Sequence, residues 1–280
     1  MSNAMLPPAD SMHLFAGKLL LCAPHMDDCV LGCGGMLARL VEKKQIHVVY
    51  ATDGARSPLP PGAAHDTHAE LASIRVDEAR QALGSLGVPS ANLHFLALPD
   101  GTLAARTKDL VERLAALVMR VEPAHILGPF RFDRHCDHVA LNGAIREVIS
   151  RTETDADFFE YFVYYRWRLL PAGDIREYIW PEQVYKVDIG AVSKRKRQAL
   201  DYFRSQTTRY FPWQSRPILT PQLLDEVSQG PEWFLRYDPT RAGTRVFRRH
   251  TLLIRLANIL EPVLKKGLDR IRALAKIDAR

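Results

Sequence analysis

A chain of 280 residues, 47% of them apolar, can bury a sizeable core, either as one large α/β domain or as a domain with a small appendage. Its ordinary composition, without low-complexity tracts or solenoid-period repeats, excludes a disordered or fibrous protein, and no apolar run approaches the ~18 residues of a membrane-spanning helix. The formal charge of +6 sits in the tail, where nine Lys/Arg and three Asp/Glu between Arg248 and Arg280 account for it, so the charge says little about the body of the protein.

Residues 1–5 (MSNAM) read as an expression scar ahead of a start at Met5. The segment that follows has no basic start and runs straight into charged residues, so a secretory signal is not expected and a cytoplasmic location is. "KLLLCAP" (18–24) reads as a fully buried strand, apolar without alternation. "VLGCGGMLARLVEKK" (30–44) reads as a helix with Leu31, Met36, Leu37, Leu40 and Val41 on its apolar face. "IHVVYATDG" (46–54) is a second buried strand, followed by a Pro- and Gly-rich loop over 55–68. A charged amphipathic helix is expected from Glu70 to Leu86, then a third strand in "NLHFLALPDG", a helix over 106–121 and a fourth strand over 124–130. "RFDRHCDH" and a helix in "VALNGAIREVIS" come next. After Asp157 the pattern turns β-rich ("FFEYFVYYRW", "EQVYKVDI") and leads into a basic helix, "SKRKRQALDYFRSQ".

Strands and helices alternating at short spacing predict an α/β fold: a doubly wound, Rossmann-like, mainly parallel sheet with helices on both faces and β-rich C-terminal additions. The expected organisation is one α/β domain over 6–247 and a basic amphipathic helical tail over 248–280. In such sheets ligands bind beyond the carboxyl ends of the strands, where the strand order reverses. "PHMDD" (24–28) and "RHCDH" (134–138) both follow strands and can meet at one rim.

Two adjacent aspartates at the end of a buried strand need compensation, and a bound cation is one source of it. The two segments offer His25, Asp27, Asp28, His135, Asp137 and His138, more than the three ligands of a catalytic zinc, which leaves groups for acid and base chemistry. Cys22, Cys29, Cys33 and Cys136 lack the paired spacing of structural zinc sites and read as reduced packing residues. The glycines of "GCGG" lie inside a helical stretch and read as packing positions. His65 and His68 read as parts of a solvated loop; His47, His94 and His125, at strand starts, read as structural.

"PHMDD", "LGCGGMLARL", "TDG", the Arg75-to-Glu78 spacing, "LPDG" and "HCDH" occur in that order, and "KRQALDYFRSQ" supplies a later Lys…Ser-Gln segment. Together they resemble the PIG-L/LmbE family of zinc-dependent N-acetylglucosaminyl deacetylases over roughly residues 18–206. The resemblance implies that His25, Asp28 and His138 bind Zn²⁺, with Fe²⁺ or another divalent ion fitting the same donors. Asp27 would be the general base on the metal-bound water. His135 would stabilise the oxyanion and protonate the departing amine, with Asp137 orienting it, and Arg75 and Asp100 would contact sugar hydroxyls. The family pattern usually reads His-Pro-Asp-Asp-Glu; Met26 replaces the proline and Cys29 the glutamate. The implied activity is removal of an N-acetyl group from an amino-sugar substrate, small or lipid-linked. The alternative is a non-catalytic relative that uses the fold as a metal-, ligand- or membrane-binding module.

In the tail, Leu253, Leu256, Leu260, Leu264, Leu268, Ile271 and Leu274 recur at helical spacing, with Pro262 and Gly267 as breaks. Packing on the body or on a second subunit is weighed there against peripheral contact with the inner face of an anionic membrane. Nucleic acid is not an expected partner, since the tail carries no aromatic residue for base stacking. Oligomeric state is left open.

Overall fold

The apolar run after Lys18 becomes β1 (Leu19–Ala23), whose five residues are all buried. The computed structural model to which it belongs describes residues 10–40, 45–60, 62–133, 135–163, 168–169, 173–174 and 183–240. These fall in two units: 1–163 with 183–237, and 164–182 with 238–280. In chain order the first unit continues with α1 (Asp28–Arg39), β2 (Ile46–Thr52), α2 (His65–Ser85), β3 (Leu93–Leu98), α3 (Thr107–Val121), β4 (His125–Pro129), α4 (Cys136–Thr152) and β5 (Asp157–Tyr161). The second unit contributes a short antiparallel pair, β6 (Arg168–Leu169) with β7 (Gly173–Asp174). The first unit then resumes with β8 (Val184–Val187), α5 (Ser193–Asp201), α6 (Arg204–Thr207), α7 (Pro221–Gln229) and β9 (Glu232–Arg236). The tail over 248–280 lies outside the described residues. Among them, no helix is long and apolar enough to cross a membrane.

The sheet of the first unit has the order β3-β2-β1-β4-β5-β9-β8. The first five strands are parallel, while β9 runs antiparallel to both β5 and β8. Both faces are covered, which is why these strands lack polar alternation. Leu19, Leu21 and Ala23 enter the core under α1, α2 and α5; Leu20 and Cys22 enter the core under α3 and α4. The chain leaves β1 toward β2 on one side and returns as β4 on the other, so a crevice opens beyond the carboxyl ends of β1 and β4.

Glycine lets α1 lie close on its neighbours. A Cβ on Gly32 would stand 2.4 Å from the Tyr161 ring, and one on Gly35 would stand 2.3 Å from Ile189 Cγ2. A buried ion pair meets the same stretch. Lys196 Nζ donates to Leu31 O at 2.8 Å and to Glu232 Oε1 at 2.7 Å, and the Glu232 carboxylate accepts from the amides of Gly35 and Met36, each at 2.7 Å. In a regular helix Leu31 O and the Gly35 amide are partners, so Lys196 and Glu232 engage the α1 ladder from outside.

Elements that differ from expectation include α1, which begins at Asp28 rather than Val30 and is capped at Leu40, as well as α2 and the basic helix. α2 begins at His65 rather than Glu70: the amides of Thr67 and His68 bond back to Ala64 O, and Asp66 places an acid in the first turn. The basic helix divides into α5 and α6, because Phe203 (ψ 60°) leaves the helical conformation to bury its ring completely.

Glu232→Gln leaves the Lys196 ammonium buried without a counter-ion, and is expected to cost about 3 kcal/mol in urea unfolding. Adding Lys196→Met should recover much of the loss. A single variant as stable as the parent would remove this pair from the forces holding α1.

Candidate active site

Beyond β1 the chain turns sharply, and the turn is tied to β2: the Thr52 amide and hydroxyl both donate to Pro24 O, at 3.0 and 2.8 Å. The turn is closed by Asp28 Oδ2, which accepts from the His25 amide at 2.9 Å and lies 3.0 Å from His25 Nδ1. Across the crevice, His138 in the first turn of α4 places Nε2 3.2 Å from the same oxygen. One carboxylate oxygen therefore lies between two imidazole nitrogens from segments about 110 residues apart.

Each histidine presents its other nitrogen to a second carboxylate. His25 Nε2 is 3.1 Å from Asp100 Oδ1, and His138 Nδ1 is 3.3 Å from Asp133 Oδ2. The His135 ring stands edge-on to His25 with centroids 4.7 Å apart, and ring nitrogens of His25, His135 and His138 come within 4.8 Å of one another. Each of the two imidazole nitrogens lies from Asp28 Oδ2 at close to the edge of a tetrahedron around a divalent cation with bonds of 2.0–2.1 Å, which is about 3.3 Å. Histidines backed by carboxylates are the usual surroundings of such ions. His25, His135 and His138 could together hold an ion, as could His25, Asp100 and Asp137, and Asp28, expected as a ligand with His25 and His138, lies against both of those imidazoles.

Asp27 is set apart from this group. Its Oδ1 accepts from Arg75 Nη2 at 2.7 Å, while Arg75 Nη1 donates to Gly54 O, and both side chains are nearly inaccessible. Burial pushes the Asp27 carboxyl up and the Arg75 charge only partly opposes it. Burial also disfavours charge on Asp28, yet the His138 and His25 imidazoles hold its carboxyl well below the usual range. Against the same cost of burial, Asp100, Asp137 and Asp28 push His25 well above its ordinary value. Asp100 is itself lowered to about 2, its burial outweighed by His25. His135 is lowered by burial and by the charges of His25 and His138.

Asp137 gives its carboxylate to the backbone, accepting from the amides of Gly101 (2.7 Å) and Leu103 (3.0 Å), with Oδ2 3.5 Å from His25 Nε2 and 4.0 Å from His135 Nδ1. The Asp137 amide donates to His135 Nδ1 at 3.2 Å, so a neutral His135 carries its proton on Nε2. All eight residues expected at the site thus gather at one rim. Arg75 and Asp100, expected on sugar hydroxyls, have Asp27 and His25 as partners here. Asp133 was missed; its signal was one more acid at metal-ligand spacing inside "RFDRHCDH".

The chain is thus an α/β protein with a doubly wound sheet and, at its switch point, a histidine–carboxylate cluster that could hold a divalent metal. Residues 20–149 match the family model described as PIG-L, GlcNAc-PI de-N-acetylase. Over 126 residues it is 29% identical to diacetylchitobiose deacetylase of Thermococcus kodakarensis; the match takes in 43% of this chain and 45% of that protein, so the chain spans about half the length of this relative. The solved structure of N,N'-diacetylchitobiose deacetylase from Pyrococcus horikoshii superposes with a TM-score of 0.59 at 20% identity, covering 79% of this chain and 83% of that one. A 4-carboxy-2-hydroxymuconate hydratase from Pseudomonas putida superposes with a TM-score of 0.57 at 18% identity, covering 80% and 97%. At these identities the two structures establish the fold alone.

Without a cation, the stability contributed by His138 depends on pH in a defined sense. Asp28 and Asp133 outweigh burial and raise its pKa to about 9, above the unfolded value of about 6.5. That stability is complete below about pH 6.5 and is lost as pH rises through about 9. In chelator the urea midpoint should fall across this window, whereas with metal it should hold or rise, because deprotonated ligands bind better. Parallel profiles in the two buffers would argue against a cation at His138.

Proposed function

We propose that the protein is a metal-dependent amide hydrolase that removes the acetyl group from an N-acetylated amino sugar, small or lipid-linked. The observation that carries this reading is Asp28 Oδ2 between His25 Nδ1 and His138 Nε2, with a second aspartate, Asp27, held separately by Arg75. The family match over residues 20–149 and the named activity of the T. kodakarensis relative support it. Zn²⁺, or Fe²⁺ on the same donors, would supply a Lewis acid that polarises the acetamide carbonyl and acidifies a water.

The chain's own groups account for the proton movements. Asp27 takes the proton of the attacking water; its raised pKa makes it a stronger base than an exposed aspartate, and Arg75 fixes its orientation. His135, neutral at working pH, offers Nε2–H to the carbonyl oxygen as negative charge develops there. The same proton can pass to the departing nitrogen, so that acetate and a free amine leave. Asp137 sets His135 through its amide, and its carboxylate ties the start of α4 to residues 101–103.

Metal analysis combined with fluorescamine detection of free amine, on N-acetylglucosamine and diacetylchitobiose, tests the reading. Near-stoichiometric metal and amine release are expected. Asp27→Asn should lower kcat by about a thousandfold and keep the metal, whereas His138→Ala should lose both. Metal bound without amine release from any N-acetyl sugar would favour the binding-module alternative.

A further inference from the structure

We propose that Arg56 recognises an anionic group, phosphate or carboxylate, that the substrate carries beside its acetamide; this rests on the deacetylase reading of the neighbouring site. Arg56 is exposed, and its guanidinium occupies the place of a side chain at position 101. A Cβ on Gly101 would stand 2.2 Å from Arg56 Nη1, and Gly101 holds φ +77°, a conformation suited to glycine. The cation therefore lies over backbone whose amide donates to Asp137 and whose preceding residue, Asp100, meets His25. Arg75 and Arg131 are committed to Asp27 and Glu160. Among the described residues the Arg56 guanidinium has no hydrogen bond or ion pair, and its one side-chain partner, Asp100, is reached through the backbone amide.

An exposed arginine of no consequence needs no scaffold, but the loop around this one is held at consecutive positions. Ala55 O meets His68 Nδ1 at 2.7 Å, Arg56 N donates to Asp100 Oδ2 at 3.1 Å, and Leu59 N donates to Arg56 O. Ser57 O accepts from Gln206 Nε2 at 3.1 Å and Pro58 O from Trp213 Nε1 at 3.0 Å. The entropy of ordering the loop is thus already spent when ligand arrives. The rim is rich in carboxylates and repels an anion, so an anionic substrate needs a cation fixed at its edge. A guanidinium matches the paired oxygens of phosphate or carboxylate.

The test compares methyl N-acetylglucosaminide, N-acetylglucosamine 1-phosphate and N-acetylmuramate, by amine release and by calorimetric binding to the metal-loaded protein. At least one anionic sugar is expected to exceed the neutral one in kcat/KM by about tenfold or more, chiefly through KM. Arg56→Ala should collapse that ratio and Arg56→Lys keep part of it; the preferred anion tells phosphate from carboxylate. A wild-type ratio near one, or an equal loss on all three sugars in Arg56→Ala, would overturn the inference and leave Arg56 balancing local carboxylates. Arg56-dependent binding of an anionic sugar without amine release would keep it while sinking the deacetylase reading. Turnover of all three sugars at equal efficiency would do the reverse.

Discussion

Five aspartates, Asp27, Asp28, Asp100, Asp133 and Asp137, crowd the carboxyl ends of β1, β3 and β4, and their mutual repulsion is the constraint on which the rest depends. Four are buried outright, and the Asp100 side chain is 7% exposed. Against them stand one committed arginine and three imidazoles. Burying like charges at this density is unfavourable unless positive charge is brought in. Part comes as protons on His25 and His138, both raised by these carboxylates. A divalent ion bound here would displace those protons and neutralise the same field. The acidity of the rim thus raises the cost of folding and favours positive charge at the site.

The remainder of the first unit is arranged to meet that cost. Arg75 and Glu78 lie one turn apart on α2: Arg75 holds Asp27, and Glu78 accepts from the Ser205 amide at 2.6 Å and hydroxyl at 2.7 Å. Gln206, next in the chain, holds Ser57 O. The C-terminal helices thereby brace both the residue that orients Asp27 and the loop that flanks Asp100. Lys196, on α5 ahead of the break at Phe203, joins the same addition to α1 through Glu232. Elements remote from the rim in sequence thus set the position of both its aspartate pair and its mouth.

How much of this could be read from the sequence follows from what each feature costs locally. Strands buried on both faces show as uninterrupted apolar runs, and β1, β2 and β4 could be placed to within a residue or two. Acids and histidines at strand ends violate the rule that charge stays exposed, so the site residues stood out. β9 and α7 did not, since a five-residue edge-side strand and a nine-residue helix carry no long pattern, and the antiparallel turn of the sheet went with them. Glu232 looked like any surface acid; its burial against α1 is a tertiary fact that spacing does not encode. The break at Phe203 was invisible for a related reason: helical propensity continues through it, and burial of one ring overrides it.

The departures at Met26 and Cys29 acquire a physical meaning from the same charge balance. A proline at 26 would stiffen the turn by fixing φ; here the turn is held by the His25 amide on Asp28, by the amides of Val30 and Leu31 on Asp27 O, and by Thr52 on Pro24. Met26 is 1% exposed and fills the space against Gly54 instead. Cys29 lies 3.2 Å from the Tyr50 hydroxyl, and burial pushes its thiol up to about 12, so it is neutral at working pH. A glutamate there would add a sixth carboxylate beside Asp27 and Asp28. Its absence lowers the repulsion among the carboxylates at the rim and leaves His25, Asp28 and His138 in place. A fold that also carries a hydratase does not dictate chemistry. What would specify chemistry in this chain is the number and placement of charges at one rim, and both substitutions fall beside the charged residues gathered there, not on them.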